Sequence, residues 1–353
     1  MKKYQDIIII GAGLGGLTLA YLLSKQGKDI KILEASNRIG GRIQTIKGKL
    51  GTPLELGATW FSDHHPNLLA LLDELEIKKF TQYSDGISLF QTKSFEPPQE
   101  FYVPGSDNPS YRIAGGTGKL IDTLFDRLPA ETVLLNHKVT SLRKADDGLI
   151  VETSDAGSYT AAKVIICIPP QLAGASIAYS PPLPDNIQSF LPTVHTWMAG
   201  SIKFVVEYPK QFWRENGYSG MVYSHAGIIT EMYDHTNFEA DKYGFTGFLN
   251  SGAAAFPAEI RRELAIEQLT VLLGRDAASP SDYRDKIWTD EHIISGAQLI
   301  QRPHQNNGHP LFQQAYYEGA LWFSGTETST EHPGYMEGAV VSAMNILISI
   351  NKN

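Results

Sequence analysis

The chain has 353 residues, 42% of them hydrophobic, which is enough for two domains with large cores. Its net charge of −8 argues against a nucleic-acid partner, for which a basic surface is expected. The single cysteine, Cys167, excludes an internal disulfide, and we expect a buried core thiol there. Neither a signal peptide nor an apolar run of about 18 residues is recognisable, so we expect a cytoplasmic protein without membrane contact.

The first 42 residues carry the pattern of a dinucleotide-binding unit. An isoleucine run at 7–10 is typical of a parallel strand that is buried on both faces. It ends at Gly11, and Gly11, Gly13 and Gly16 have the G-x-G-x-x-G spacing. The first glycine permits the turn, the second permits close approach of a pyrophosphate, and the third permits close packing of helix and strand. The helix that follows would direct its N-terminal N–H groups at the phosphates.

Glu34 completes this unit, because it follows a second predicted strand at 30–33. It lies about twenty residues after the glycines, where a carboxylate can accept hydrogen bonds from a ribose and would repel a 2′-phosphate. Strand, glycine loop, helix, strand and acid occur in the expected order. We therefore predict dinucleotide binding rather than a chance glycine-rich turn.

Three further segments carry candidate functional residues. A glycine pair before Arg42 permits close backbone approach beside a cation that can bind a pyrophosphate, and the sequence ELGATW follows at 55–60. At 321–339 a strand, a small-residue turn and a helix start offer free N–H groups to a developing negative charge. Lys203 interrupts an apolar strand, which indicates either a functional partner or an edge strand whose lysine reaches solvent.

Together these segments resemble the FAD-dependent amine oxidase family, which includes monoamine oxidases, polyamine oxidases and L-amino acid oxidases, here in a short form of bacterial type. The resemblance implies an α/β fold, in which a Rossmann-like FAD-binding domain joins a second α+β substrate domain built on a mixed or antiparallel sheet. We expect the FAD-binding domain at 1–78, 112–185 and 296–353. We expect the substrate domain at 79–111 and 186–295.

The resemblance also assigns roles to single residues. It implies that Lys203 binds a water at flavin N5 and takes part in the reoxidation of the flavin by oxygen. It also implies that Tyr335 forms one wall of an aromatic cage that aligns the substrate. Gln298 takes the position of the second cage residue. The residues that it implies as cofactor-binding are Gly11, Gly13, Leu14, Gly15, Gly16, Glu34, Ala35, Gly41, Arg42, Gly57, Ala58, Thr59, Val139, Gly325, Glu327 and Met336.

Three departures from the family pattern carry further expectations. Ala297 stands where monoamine oxidases have the cysteine that holds the flavin, so we expect noncovalent FAD. Gln298 replaces a cage tyrosine and argues against simple monoamine specificity. Only about thirty residues separate Lys79 from Tyr111, where larger relatives insert a helical module over the substrate. We expect a more open site, or one covered by a second subunit in a homodimer.

The reaction that the resemblance implies is oxidation of an amine C–N bond to an imine by hydride transfer to flavin N5. Oxygen would then reoxidise the flavin and give hydrogen peroxide. One alternative is a desaturase or dehydrogenase of a carbon skeleton, similar to phytoene desaturase or protoporphyrinogen oxidase. A second is a catalytically idle FAD-binding protein. We expect no metal site, because the histidines lack the spacing of ligands and suit surface or turn positions.

Overall fold

The structure is a computed structural model that describes residues 4–104, 108–289 and 302–352. The strands of these residues are, in chain order, β1 Tyr4–Ile10, β2 Ile30–Leu33, β3 Thr45–Lys47, β4 Pro53–Glu55, β5 Lys79–Thr81, β6 Ile87–Gln91, β7 Gln99–Tyr102, β8 Tyr111–Ile113, β9 Val133–Leu134, β10 Val139–Ala145, β11 Gly148–Thr153, β12 Ser158–Ile166, β13 Ala178–Ser180, β14 Ile202–Tyr208, β15 Tyr218–Ser224, β16 Ile229–Asp234, β17 Tyr243–Leu249, β18 Asp282–Ile287 and β19 Leu321–Phe323. The α-helices are α1 Leu14–Ser24, α2 Pro66–Glu74, α3 Gly118–Asp126, α4 Pro170–Ser176, α5 Asp185–Gln188, α6 Phe212–Glu215, α7 Ala258–Leu273 and α8 Met336–Lys352. Short 3₁₀ helices cover Leu191–Thr193, Ser251–Ala255, Arg275–Ala278, Pro310–Gln313 and Thr326–Thr328.

The first sheet has β1 near its centre, and its strands follow the order β13-β10-β11-β12-β1-β2-β9, with β19 also paired to β12. The isoleucine run of β1 is buried because both faces of the sheet are covered. Ile7 and Ile9 belong to a core formed with the helices α1, α2, α3 and α8, whereas Ile8 and Ile10 belong to a core on the opposite face. β1 pairs in parallel with β2 and β12, as the sequence predicts for a doubly buried strand.

The second sheet follows the order β18-β14-β17-β16-β15-β6-β7. All seven residues of β14 are buried, because β17 and β18 pair with it on both sides and α7 packs over one face. The sheet is mixed, since β6 and β15 run parallel while the other pairs are antiparallel. The predicted α/β class with a second, mixed sheet is therefore confirmed.

Residues 79–111 contribute strands to the second sheet and to a separate two-stranded sheet. β5 pairs with β8, while β6 and β7 extend the second sheet to its edge. The described residues of this segment form no helix. The exact domain limits remain a prediction, since the sheets alone do not fix where one domain ends. In the described parts of the chain, no helix is both long enough and apolar enough to span a membrane.

Candidate active site

One large cavity lies between the carboxyl ends of β1 and β2 and the second sheet. Lys203 and Tyr335 line it together with almost every residue that the resemblance implies for cofactor binding, namely Gly11, Gly13, Leu14, Gly15, Glu34, Ala35, Gly41, Arg42, Gly57, Ala58, Thr59, Val139, Gly325, Glu327 and Met336. Gly16 is absent from the wall, and Gln298 falls outside the described residues. The fold thus brings together residues that are hundreds of positions apart in the chain.

The glycine loop leaves a helix N-terminus open to this cavity. Gly11 has φ = +104°, a left-handed conformation that favours glycine. No side chain caps the start of α1, and no acidic residue lies in its first turn. A Cβ at Gly13 would meet no atom within 4 Å, so the backbone there borders free space. These features fit a bound pyrophosphate, which would accept hydrogen bonds from the free N–H groups.

Gly16 contributes to packing rather than to the cavity wall. A Cβ at this position would lie 2.0 Å from the carbonyl oxygen of Gly11. Helix α1 therefore crosses the end of β1 at a distance that only glycine permits, which is the third-glycine role in the fingerprint.

Glu34 is held rigidly at the end of β2. One carboxylate oxygen accepts a hydrogen bond from the Ala12 N–H at 2.7 Å, and the other accepts from the Ser36 N–H at 2.9 Å and the Ser36 hydroxyl at 2.8 Å. The bond to Ala12 ties the acid directly to the glycine loop. Each oxygen of an ionised carboxylate has more than one acceptor site, so Glu34 can still accept from a ribose hydroxyl.

Arg42 and Glu327 form a bidentate ion pair that joins the N-terminal loop to the C-terminal segment. Arg42 Nη1 lies 2.5 Å from Glu327 Oε1, and Nη2 lies 3.0 Å from Oε2. Only 1% of the Glu327 side chain is exposed, against 28% for Arg42. The carboxylate thus orients the guanidinium at the cavity wall. Its predicted contact with a phosphate remains a prediction.

Lys203 is the second residue of β14 and is buried, and β14 lies between β17 and β18, so the interpretation of an edge-strand lysine that reaches solvent is wrong. Its Nζ donates to the Gly57 carbonyl at 2.6 Å and to the Thr59 hydroxyl. It also lies 4.8 Å from the centre of the Trp60 ring. Burial lowers the pKa of Lys203 to about 7, although the charge of Glu55 opposes this shift. The amine therefore exchanges its proton near neutral pH.

Tyr335 is half-exposed and belongs to an aromatic group at the far end of the cavity. Its ring lies parallel to that of His304 within 19°, with the ring centres 5.8 Å apart. Trp197 stacks on the same histidine with the centres 4.4 Å apart. His304 lies in a turn, as the sequence predicts, and is half-buried in this group. Tyr335 and Trp197 give the cavity an aromatic wall.

Several residues of the cavity escape prediction from the sequence. Trp197, Phe248 and Trp288 line it, and no motif marks them. Cys167 also borders the cavity and is half-buried by exposure, although the sequence predicts a core thiol. Burial raises the pKa of this thiol to about 12. The fold and this cavity define the chain as a dinucleotide-binding protein of the α/β class.

Comparison with known proteins gives the family. The model of the flavin containing amine oxidoreductases matches residues 14–102 and 83–346, so the chain belongs to this family. A probable flavin-containing monoamine oxidase A of Dictyostelium discoideum is 25% identical over 454 residues, covering 98% of this chain and 97% of the relative. Putrescine oxidase of Kocuria rosea is 25% identical over 406 residues and covers 83% of this chain and 84% of its own length.

A solved structure of wild-type putrescine oxidase bound to putrescine has the same fold, with a TM-score of 0.85 at 22% identity over 100% of both chains. Family membership confirms the predicted class, a flavin-dependent amine oxidoreductase, and with it the flavin cofactor. The two matching segments overlap at 83–102, within the region where the sequence indicates a missing module.

Proposed function

We propose that this chain oxidises a small-molecule amine to an imine with noncovalently bound FAD and O2 as the electron acceptor. One observation carries the proposal. A single cavity joins an open helix N-terminus at the glycine loop, the Arg42–Glu327 pair and the buried Lys203. A dinucleotide placed along the loop would extend toward the lysine and the aromatic wall. This arrangement favours amine oxidation over an idle binding protein, which needs no such lysine.

FAD, when bound, would supply the redox chemistry of the reaction, namely acceptance of a hydride from the α-carbon of the amine and transfer of the electrons to O2 to give hydrogen peroxide. The residues of the chain would bind the cofactor, orient the substrate and exclude water from the site. The start of α1 and Arg42 would hold the phosphates, and Glu34 would hold a ribose. The free N–H groups at the start of α8, beside Met336, would stabilise negative charge at flavin O2.

Lys203 Nζ would hold a water by hydrogen bond or exchange a proton with it at neutral pH. The aromatic wall of Tyr335 and Trp197 would align the substrate and keep bulk water out. The position of Tyr335 on the cavity wall, beside His304, supports this proposal. The predicted role of Gln298 as the second cage residue remains a prediction.

Noncovalent attachment is supported by the chemistry of the one cysteine. A thioether to the flavin needs a reactive thiol, and a pKa of about 12 leaves Cys167 protonated at neutral pH. Ala297 has no group that can form such a bond. Acid precipitation should therefore release all of the flavin into the supernatant. Colour retained in the pellet would contradict noncovalent binding.

The reaction is tested by anaerobic mixing of the FAD-loaded protein with putrescine, an aromatic monoamine and an amino acid. We expect at least one to bleach the flavin absorbance, and air to restore it with one peroxide for each amine consumed. Bleaching without peroxide would favour another electron acceptor. Tight FAD binding without bleaching by any amine would favour the idle protein.

Lys203→Met should slow flavin reoxidation in stopped flow while FAD stays bound. Lys144→Met is a matched control, because Lys144 lies on β10 and forms an exposed ion pair with Glu318. Equal reoxidation rates in the two variants would remove the role of Lys203. The homodimer and the cytoplasmic location also remain proposals, and light scattering of the purified protein tests the first.

A further inference from the structure

The start of α8 is held by a buried carboxylate that is not among the predicted site residues. Glu337, the second residue of α8, is 0% exposed. Its Oε1 accepts hydrogen bonds from the Asn67 N–H at 3.0 Å and from the Asn67 side-chain amide at 2.7 Å, and its Oε2 accepts from the Leu68 N–H at 2.7 Å. Both oxygens of Glu337 are therefore bound to the first turn of α2.

These bonds supply the N-terminal cap that α2 does not provide for itself. Pro66, the first residue of α2, has no N–H, and the side chain of His65 before it forms no capping hydrogen bond. The first N–H groups of α2 that need an acceptor are those of Asn67 and Leu68, and the carboxylate of Glu337 accepts from both. A negative charge at this place is also favoured by the helix dipole. Glu337 thus joins the N-terminus of α2 to that of α8.

The bonds to α2 leave the N–H groups of α8 itself available. A glutamate in the first turn of a helix commonly bonds back to the N-terminus of its own helix. The oxygens of Glu337 bond α2 instead. The N–H groups of Met336, Glu337 and Gly338 have no acceptor within α8, and Met336 lines the large cavity. The start of α8 can therefore donate hydrogen bonds to a negative charge in the cavity.

A second contact ties the same helix start to the turn at 325–327, which lines the cavity. The Thr326 hydroxyl donates to the carbonyl oxygen of Tyr335 at 2.7 Å. Thr326, Tyr335 and Met336 all border the cavity, whereas Glu337 does not. The start of α8 is thus held between this turn and α2. A shift of α8 relative to α2 would move Tyr335 and the Met336 N–H with respect to the cavity.

We propose that Glu337 is a positioning residue for the cofactor, because it fixes the start of α8 against α2 and so holds the N–H groups beside Met336 where they stabilise negative charge on reduced FAD. Glu337 acts through the helix, since its own side chain faces α2 and not the cavity. Hydrogen bonds weaken steeply with distance and angle, so a small shift of the helix start is enough to weaken this stabilisation. The proposal rests on the proposed function for the place of FAD in the cavity, and on no step of amine oxidation.

The test is the midpoint reduction potential of bound FAD, measured without oxygen or amine against a reference dye. Glu337→Asp keeps the charge but shortens the side chain by one methylene, so it cannot keep all of its bonds to α2 at their present lengths. We expect reduced FAD to bind about fivefold less tightly relative to oxidised FAD, which is the weight of a helix-terminus interaction. For a two-electron couple this lowers the midpoint potential by about 20 mV. In the FAD-free variant, the amides of the first turns of α8 should also exchange hydrogen faster.

Glu207→Asp is the matched control. Glu207 on β14 is also 0% exposed, and its carboxylate accepts from the Leu50 N–H at 2.8 Å and from the Thr52 N–H at 2.9 Å, but it does not line the cavity. The same shortening there should destabilise the fold while the potential and the exchange of α8 stay unchanged. An unchanged or higher potential in the folded, FAD-loaded Glu337→Asp variant would overturn the proposal, and so would an equal fall in Glu207→Asp.

If Glu337→Asp does not fold or does not bind FAD, Asn67→Ala decides, because it removes the side-chain bond to Glu337 without a change of charge. We expect a smaller fall of the potential in this variant. An unchanged or higher potential would then overturn the proposal. Neither the potential nor the exchange measurement involves amine turnover, so a failure of amine oxidation and a failure of the positioning role are distinguishable.

Discussion

The two ends of the cavity are built from different kinds of sequence information. The glycine-loop end comes from one continuous stretch, residues 10–42, whose spacing sets the backbone turn and the helix start. The lysine end combines β14, the turn after β4 and the start of α8, which are far apart in the chain. Local spacing therefore defines where a cofactor binds, whereas long-range packing defines the chemistry beside it.

The Arg42–Glu327 pair is the contact that joins these two kinds of segment, and its loss should have the largest effect. Arg42→Met leaves the buried Glu327 carboxylate without its partner, which we expect to cost about 3 kcal/mol of unfolding free energy. Urea unfolding without added FAD measures this loss. Lys144→Met, which breaks an exposed pair, should cost less than about 1 kcal/mol. Equal losses of unfolding free energy in the two variants would mean that the Arg42–Glu327 pair stabilises the fold no more than an exposed ion pair does.

Gly16→Ala tests the glycine-loop end by itself. The added Cβ meets the Gly11 carbonyl, and backbone cannot move aside cheaply, so we expect a loss of about 2 kcal/mol. Gly15→Ala is the matched control, because its Cβ would have no neighbour closer than 3.5 Å. That control should be neutral or stabilising, since alanine favours a helix. Similar losses in both variants would argue against the close crossing of α1 and β1.

The pH dependence of the unfolding free energy tests whether the pKa of Lys203 is lowered in the folded protein. Its pKa is about 7 in the folded chain, below the usual 10.5, so the unfolded chain binds more protons between these two values. The free energy of unfolding should therefore rise with pH in this window, by about 1.4 kcal/mol per unit. Lys203→Met should lack this rise when urea unfolding is compared at pH 7, 8 and 9. Parallel curves for the two proteins would mean that Lys203 titrates normally.

Much of the site was predictable from the sequence because its motifs act through the backbone. Gly11, Gly13, Glu34 and Arg42 line the cavity, as their spacing and the family resemblance predict. Trp197 and Trp288 were not predictable, because no local pattern marks them and their partners lie in distant segments. Cys167 shows the same limit, since its apolar neighbours in the chain indicate a core position but the fold opens a cavity beside it.

The sequence by itself determined the dinucleotide-binding unit and, through the resemblance, the family. Turn conformation and helix start depend on residues a few positions apart, so their spacing is enough. Only the tertiary structure decided that Lys203 is buried on an interior strand and that it donates hydrogen bonds to Gly57 and Thr59. The protonation of a buried lysine depends on the desolvation and charges that distant segments bring to it, and no local pattern encodes those.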